Sequence, residues 1–446
     1  MKLSRDYRIL VEELRYYCRV LSLYSVKMKL DIYYNGSNEE IEIPDSCQVE
    51  VVEPKVVKLA ASEENLILTA INYPIESKSL KDFIDENESF LVIVNDHARP
   101  TPTPKILKHV MPLLRGKRFG FVVACGTHDP PSEEDLRELI LGEFYDELRE
   151  DLVIHKSKSG DFIDFGKTSR GTPILVNKIA EEYKAFIPIN SIEPHYFAGY
   201  TGGRKSFIPG ISSYDTIEAN HSMALLEETK IMALKDNPLH EDFEEGVRTI
   251  LEGRPTFAIN VVLDGDHNIV GAFGGDIFKQ LYEGAKLAKE IYSPVVEKTP
   301  DVLISVVHSP FDQNLYQAQK GFENCLLAVK PRGIMILVAS CYDGIGPDDY
   351  AGMLQSGSSP EDLAAKFEEI KVNYQLGWHK VGSIPPFLVD KELWMVTQLE
   401  QDSLDRMFFK GFKSVQKAID AAIKKKGPNT TFLVVKDSAN VCPTTK

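Results

Sequence analysis

The segment FLVIVNDHARP at 90–100 runs as a short β-rich strand to Asn95, then breaks into a polar turn carrying Asp96, His97, Arg99 and Pro100. The arrangement recurs downstream. FGFVVAC at 119–125 leads into Gly126-Thr127-His128, and AFIPI at 185–189 leads towards Glu193-Pro194-His195. Further β-rich runs stand at 257–263, 302–307, 333–339 and 431–435. Amphipathic stretches separate them, one at 277–291 and another after 119–125, where Ser132 and Asp135 have capping-box spacing ahead of Leu136, Leu139, Ile140 and Phe144 on one face. Strands alternating with helices predict an α/β protein with largely parallel sheets. In such sheets the ligand crevice lies beyond the carboxyl ends of the strands. Three strand ends bearing acid, base and cation therefore mark a candidate site, which wet loops alone explain poorly.

At roughly 150 residues per domain, 446 residues make two large units or three smaller ones. Residues 1–28 read as an added amphipathic helix, with Ile9, Leu10, Leu14, Tyr17 and Leu21 at near-helical spacing. A Pro-bearing connection, Ser293-Pro294 and Thr299-Pro300, places a boundary near 295. A first α/β domain then covers 29–295 and a second covers 296–446, the last strand being free to return to the first domain.

Composition removes several classes of function. With 43% hydrophobic and 26% charged residues the chain has ordinary globular usage, so neither disorder nor a fibrous repeat fits. A net charge of −15 argues against non-specific nucleic-acid binding, which needs a phosphate-neutralising surface, and any anionic ligand must be held by local cations. No apolar run approaches the roughly 18 residues that span a bilayer, and the charged N-terminus lacks the apolar core of a signal peptide. Six dispersed cysteines without CxxC pairs fit neither a zinc ribbon nor a disulfide framework. A reducing, cytoplasmic setting without membrane attachment is expected.

The densest polar segment is HYFAGYTGGRKSFIPGISSYDTIEANH at 195–221. Gly202 and Gly203 beside Arg204 and Lys205 suit a backbone that closely approaches an anionic group such as a phosphate. The loop is not a Walker A motif, because Arg204 stands where Gly must precede the Lys. Lys205 next to Arg204 has a repulsive neighbour, which in a desolvated loop lowers its pKa and favours a nucleophile or covalent tether; the alternative is a solvated lysine. His221, in a segment read as helical from Tyr214, suits a transition metal, yet no second ligand stands at spacing beside it. Further on, FDQNLYQAQKG at 311–321 opens a helix that places Tyr316, Gln317 and Lys320 on one face, suited to a carboxylate and a hydroxyl. Trp378, taken alone, reads as core.

Together NDHARPTPT at 95–103, CGTHDPPS at 125–132, IEPHYFAGYTGGRKSFIPGISSYDTIEANHS at 192–222 and FDQNLYQAQKG at 311–321 resemble the nickel-dependent lactate racemase family, in order from about Met28 onward. The resemblance implies two α/β domains with the active site in the cleft between them. It implies a nickel-pincer nucleotide, the pyridinium-3-thioamide-5-thiocarboxylic acid mononucleotide, made by separate maturation enzymes and attached covalently through Lys205. His221 then completes the nickel coordination, with Asp96, Gly202, Gly203 and Arg204 around the cofactor. His128 and His195 match the two acid–base histidines, and Arg99, Tyr316, Gln317, Lys320 and Trp378 match substrate-orienting positions. The implied reaction racemises or epimerises a 2-hydroxy acid, lactate or a relative. Hydride passes to the nucleotide and returns to the opposite face of the 2-keto acid.

Two alternatives of other classes stand beside this. A non-catalytic nickel-nucleotide or hydroxy-acid binding protein needs Lys205 but not both His128 and His195, and both are present. An NAD-dependent dehydrogenase predicts GxGxxG after a strand, which the sequence lacks. Self-association stays open; the expected partners are the small hydroxy acid and the maturation enzymes.

Overall fold

A computed structural model describes residues 28–58 and 61–446. The helix expected over 1–28 lies outside the described residues, save that Met28 opens a strand. Two six-stranded sheets organise the rest, giving the expected α/β class. The first runs Ile269–Gly275, Ala258–Leu263, Ala185–Ser191, Ser89–Asn95, Arg118–Ala124, Leu152–Ile154; only its outermost pair, Ala258–Leu263 with Ile269–Gly275, is antiparallel. The second is wholly parallel, in the order Lys410–Phe412, Glu392–Val396, Ile334–Val338, Val302–Val306, Thr431–Val435, Gln48–Val52.

Strand burial follows from helices on both faces. The first sheet packs Phe90, Val92 and Val94 into one apolar cluster and Leu91 and Ile93 into another. The second does the same with Leu303 on one face and Val302, Ile304 and Val306 on the other. Among the described residues no helix is long and apolar enough to cross a membrane.

Three sequence expectations change. Residues 29–52, assigned above to the first domain, go with the second: the hairpin Met28–Tyr34/Ser37–Ile43, a two-stranded sheet of its own, buries Ile32, Ile41 and Ile43 against Val302, Ile304 and Ile336, and Gln48–Val52 extends the second sheet beside Thr431–Val435. That pairing covers what would be an exposed edge of parallel sheet. The strand Thr431–Val435 stays in the second sheet, and only Thr444–Thr445 reaches back, to Val295–Val296. The helix after Arg118–Ala124 starts with the expected Ser132–Asp135 capping box but widens into a π-helix over Leu136–Leu141, leaving Leu139 52% exposed and off the apolar face.

The topology fixes where a ligand goes. From Ser89–Asn95 the chain moves to Arg118–Ala124 on one side and later to Ala185–Ser191 on the other, so a switch-point crevice opens beyond Asn95 and Ser191. Asn95 Nδ2 donates to Thr101 Oγ1 (2.8 Å), which donates to Ser191 Oγ (2.9 Å), tying the two strand ends together. The second domain closes over this crevice: Leu376 N–H donates to Glu218 Oε1 (3.0 Å), and the His379 ring lies 3.1 Å through Nε2 from the Tyr196 hydroxyl.

Candidate active site

Asp96 follows the strand Ser89–Asn95 and is 3% exposed. Its Oδ2 lies 2.6 Å from Nδ1 of His128, whose side chain stays 44% exposed. A buried carboxylate on one imidazole nitrogen fixes the ring's orientation and leaves Nε2 as the nitrogen that can exchange a proton. Asp96, expected among the cofactor contacts, therefore serves His128. The loop that presents His128 is tied to the Lys205 turn, since Gly126 N–H donates to Gly210 O (2.9 Å) and Gly210 N–H to Lys205 O (2.9 Å).

The segment 193–221 builds the other wall. His195 lies in the short hairpin Pro194–His195/Gly199–Tyr200, stacked on Tyr196 at 5.1 Å and edge-on to Phe197 at 4.4 Å. Its Nδ1 takes only a long contact from Ala198 N–H (3.4 Å). Burial, with the charges of Lys205, Arg99, His221 and Arg204, holds the imidazole well below its ordinary pKa. Lys205 sits in the 3-10 turn Gly203–Ser206 with Nζ 5.8 Å from the centre of the Phe197 ring. Burial, Arg99 and Arg204 push its pKa far down, against a smaller opposing pull from Glu193. His221 ends the helix Tyr214–His221, which Ser213 caps through the N–H of Thr216. It is 8% exposed, and its Nδ1 meets no hydrogen-bond partner. Burial, His379 and Lys205 lower its pKa.

Arg204, Gly202 and Gly203, expected around the cofactor, are engaged by the protein itself. Arg204 is fully buried, and its guanidinium is consumed by the protein: Nε donates to His240 Nδ1 (3.1 Å), one amino group to Thr201 O and Gly202 O (3.2 Å each), the other to Ala198 O (2.8 Å). The glycines are packed rather than open. A Cβ on Gly202 would meet Ile192 at 2.9 Å and Asn260 Oδ1 at 3.0 Å, and one on Gly203 would meet Ile277 O at 2.9 Å. Gly203 N–H already donates to Asn260 Oδ1 (3.1 Å). Both residues have positive φ, 87° and 50°, so the turn itself demands glycine.

The second domain faces this wall with the helix Leu315–Cys325, capped by Asn314 through the N–H of Gln317. Lys320 Nζ lies 4.4 Å from the Phe311 ring centre; burial lowers its pKa, Glu193 opposes and Arg99 adds to the lowering. Tyr316 packs edge-on to Tyr350, and burial raises its phenol. Gln317 is half-buried on the same turn. Trp378 opens the short turn Trp378–Lys380, with its Nε1 buried and unpartnered.

His379 and Lys380 also belong to the site and were not singled out by sequence, and Glu193, read there only as the acid at a strand end, joins them. Glu193 is held by Ser191 Oγ at 2.7 Å and acts on both Lys205 and Lys320. His379 is 2.5 Å through Nδ1 from the Tyr374 hydroxyl, and its ring centre is 5.8 Å from that of His221. Burial, with Lys380 beside it, pushes it down to about 3. Position was the available signal: Glu193 ends a strand, and His379 and Lys380 follow Trp378.

The donor set fits part of the implied nucleotide. Among the described residues Lys205 Nζ has neither hydrogen bond nor ion pair, and His221 Nδ1 is orphaned in the same cluster; a tether and one imidazole ligand need those two features. Among the described residues no three His, Cys, Asp or Glu side chains gather there as a metal group, so a metal would draw most of its ligands from the nucleotide. The filled Gly202-Gly203 turn and the consumed Arg204 do not fit a phosphate cradle.

Fold and site thus define a two-domain α/β enzyme whose polar residues converge where the domains meet. Family models for the lactate racemase N-terminal and C-terminal domains match residues 34–233 and 295–442. The chain belongs to the lactate racemase family and is an isomerase of the racemase type. Lactate racemase of Thermoanaerobacterium thermosaccharolyticum is 29% identical over 348 residues, 76% of this chain and 80% of that protein. That of Lactiplantibacillus plantarum is 29% identical over 401 residues, 85% and 91% of the two chains. The solved T. thermosaccharolyticum lactate racemase apoprotein superposes with a TM-score of 0.83 at 26% identity, over 93% of this chain and 100% of that one. A Thermotoga maritima protein shares the fold at 15% identity, with a TM-score of 0.65 over 88% of this chain and 100% of its own.

Proposed function

We propose that the chain interconverts the two configurations of a 2-hydroxy acid, lactate or a close relative, in the cleft between its domains, with a nickel-pincer nucleotide tethered at Lys205. The observation that carries this reading is the meeting of an unpartnered Lys205, an orphaned His221 Nδ1 and His195 in one buried cluster. Lys205 would hold the nucleotide and His221 would ligate its nickel. When bound, that group supplies a hydride acceptor for the substrate's C2.

The protein's own residues handle carboxylate and proton. Arg99 and Lys320 lie close enough to each other for their charges to interact, and together clamp the substrate carboxylate. Neutral His195 accepts the hydroxyl proton on one face, and its low pKa returns that proton readily. His128 performs the same exchange through Nε2 on the other face, with Asp96 fixing the ring through Nδ1. The apolar rings of Tyr196 and Phe197 exclude water from the His195 side.

A label tests the proposal: (S)-[2-²H]lactate is incubated with protein produced beside the maturation enzymes. Deuterium retained at C2 of the R product supports hydride return. Exchange of that position with solvent would mean simple deprotonation, and no interconversion would remove the catalytic reading.

A further inference from the structure

The two proposed acid–base histidines are held in different ways. His128 is fixed by Asp96 through Nδ1 at 2.6 Å. Among the described residues no carboxylate bonds to the His195 ring, whose Nδ1 has only the long contact from Ala198 N–H (3.4 Å). An imidazole that exchanges a proton at a set point needs its orientation held. What holds His195 is packing on Tyr196, with ring centres 5.1 Å apart and an interplanar angle of 11°, at the tip of the hairpin Pro194–His195/Gly199–Tyr200. So short a hairpin fixes little by itself.

Tyr196 is in turn held from the other domain. Among the described residues its hydroxyl makes one hydrogen bond, with His379 Nε2 at 3.1 Å. His379 Nδ1 lies 2.5 Å from the hydroxyl of Tyr374, in its own domain. An imidazole engaged through both nitrogens cannot turn without giving up both contacts, whichever tautomer it holds. The ring also packs edge-on to Phe197 at 5.1 Å, and its segment is fastened to the helix of His221 where Leu376 N–H meets Glu218 Oε1 at 3.0 Å. Neither nitrogen is free for a metal, although the ring centre is 5.8 Å from that of His221. We infer that His379 is a positioning residue for His195: reaching across the cleft, it holds the Tyr196 hydroxyl, and through the Tyr196 ring it does for His195 what Asp96 does for His128. His195 is then aligned only while the second domain is seated on the first.

This rests on the racemase reading, and the test separates the two. Enzyme loaded with nickel and nucleotide is assayed on lactate by chiral chromatography for kcat and KM. His379→Phe and Tyr196→Phe keep a ring and remove the hydrogen bond. Each is expected to lower kcat about 10- to 100-fold, with KM within about twofold of wild type and nickel and nucleotide content unchanged. The double variant should fall no further than the lower single, and His379→Gln, whose amide reaches the Nε2 position, should restore most of the rate. If His379→Phe does not fold, Tyr196→Phe and His379→Gln carry the same expectations. A kcat left at the wild-type level, a rise in KM with kcat unchanged, or losses that multiply in the double variant overturns the inference. So does loss of nickel, which would give His379 to the metal. If lactate is not turned over, NMR of the nucleotide-free chain labelled with ¹⁵N-histidine decides, the His195 signals being those absent from His195→Gln. A shift of those signals in His379→Phe, with the His128 signals unmoved, upholds the positioning role; movement of both or an unmoved His195 refutes it.

Discussion

The two histidines proposed as acid and base stand at the ends of strands in one sheet, yet their surroundings differ in kind. His128 is half-exposed and steered by a single buried carboxylate, whereas His195 is enclosed by Tyr196 and Phe197 and surrounded by cations. One ring is held by a carboxylate and open to solvent, while the other is walled off beside cations that favour its neutral form. A reaction that takes a proton on one face and delivers it on the other meets two differently built histidines. The same contrast separates two adjacent residues. Arg204 is locked by four donated hydrogen bonds, while Lys205 beside it has none among the described residues.

Lys205→Ala should break the cationic wall most severely, with loss of nucleotide and at least a 10³-fold fall in interconversion, on the order expected when the hydride acceptor is removed; a chiral assay reads it. Arg204→Met should act on the fold, lowering stability by about 3–5 kcal/mol because Ala198 O, Thr201 O and Gly202 O lose a buried donor. Denaturant unfolding measures that, and an unaltered midpoint would return Arg204 to the ligand. Asp96→Asn should leave nickel and nucleotide content intact while cutting turnover by roughly 10²-fold, since the amide no longer holds the His128 ring through Nδ1 as the carboxylate does. Parallel loss of nucleotide would make Asp96 a cofactor contact after all.

The smallest effect concerns the support beneath the cationic wall. His155 is 1% exposed, its Nε2 lies 2.9 Å from Ser212 O just before the helix that carries His221, and burial pushes its pKa down to about 4. A histidine neutral when folded binds its proton more readily when unfolded. Stability is therefore expected to fall as pH drops from about 6.5 towards about 4, by up to about 3 kcal/mol from this group. Unfolding curves across that range should show the slope, and His155→Gln should flatten it.

Much of the fold was legible because strands buried on both faces leave unbroken apolar runs: 89–95, 118–124 and 431–435 were placed within a residue or so. Gln48–Val52 was not, because its partner Thr431–Val435 lies at the far end of the chain and no local signal names a partner. Glu392–Val396 and Lys410–Phe412, short and bordered by charges, escaped for lack of length. In the site, Asp96, His128 and His195 stood out by lying at strand ends, but the Asp96–His128 contact joins two strands and exists only in the folded sheet. Gly202 and Gly203 were read as a cradle because a glycine that admits a ligand and one that admits neighbouring backbone look identical in sequence. His379 and Lys380 carry no periodic pattern in their short turn and gain meaning only where the second domain meets Tyr196.

The tether at Lys205 is tested most directly by intact mass and nickel content, comparing wild type with Lys205→Ala, each produced beside the cofactor-building enzymes. Wild type should carry a covalent nucleotide adduct with about one nickel per chain, and Lys205→Ala, though folded, should carry neither. An adduct and nickel in Lys205→Ala equal to wild type, or a wild type bare of both under conditions that load a related racemase, would contradict the assignment of Lys205 and His221.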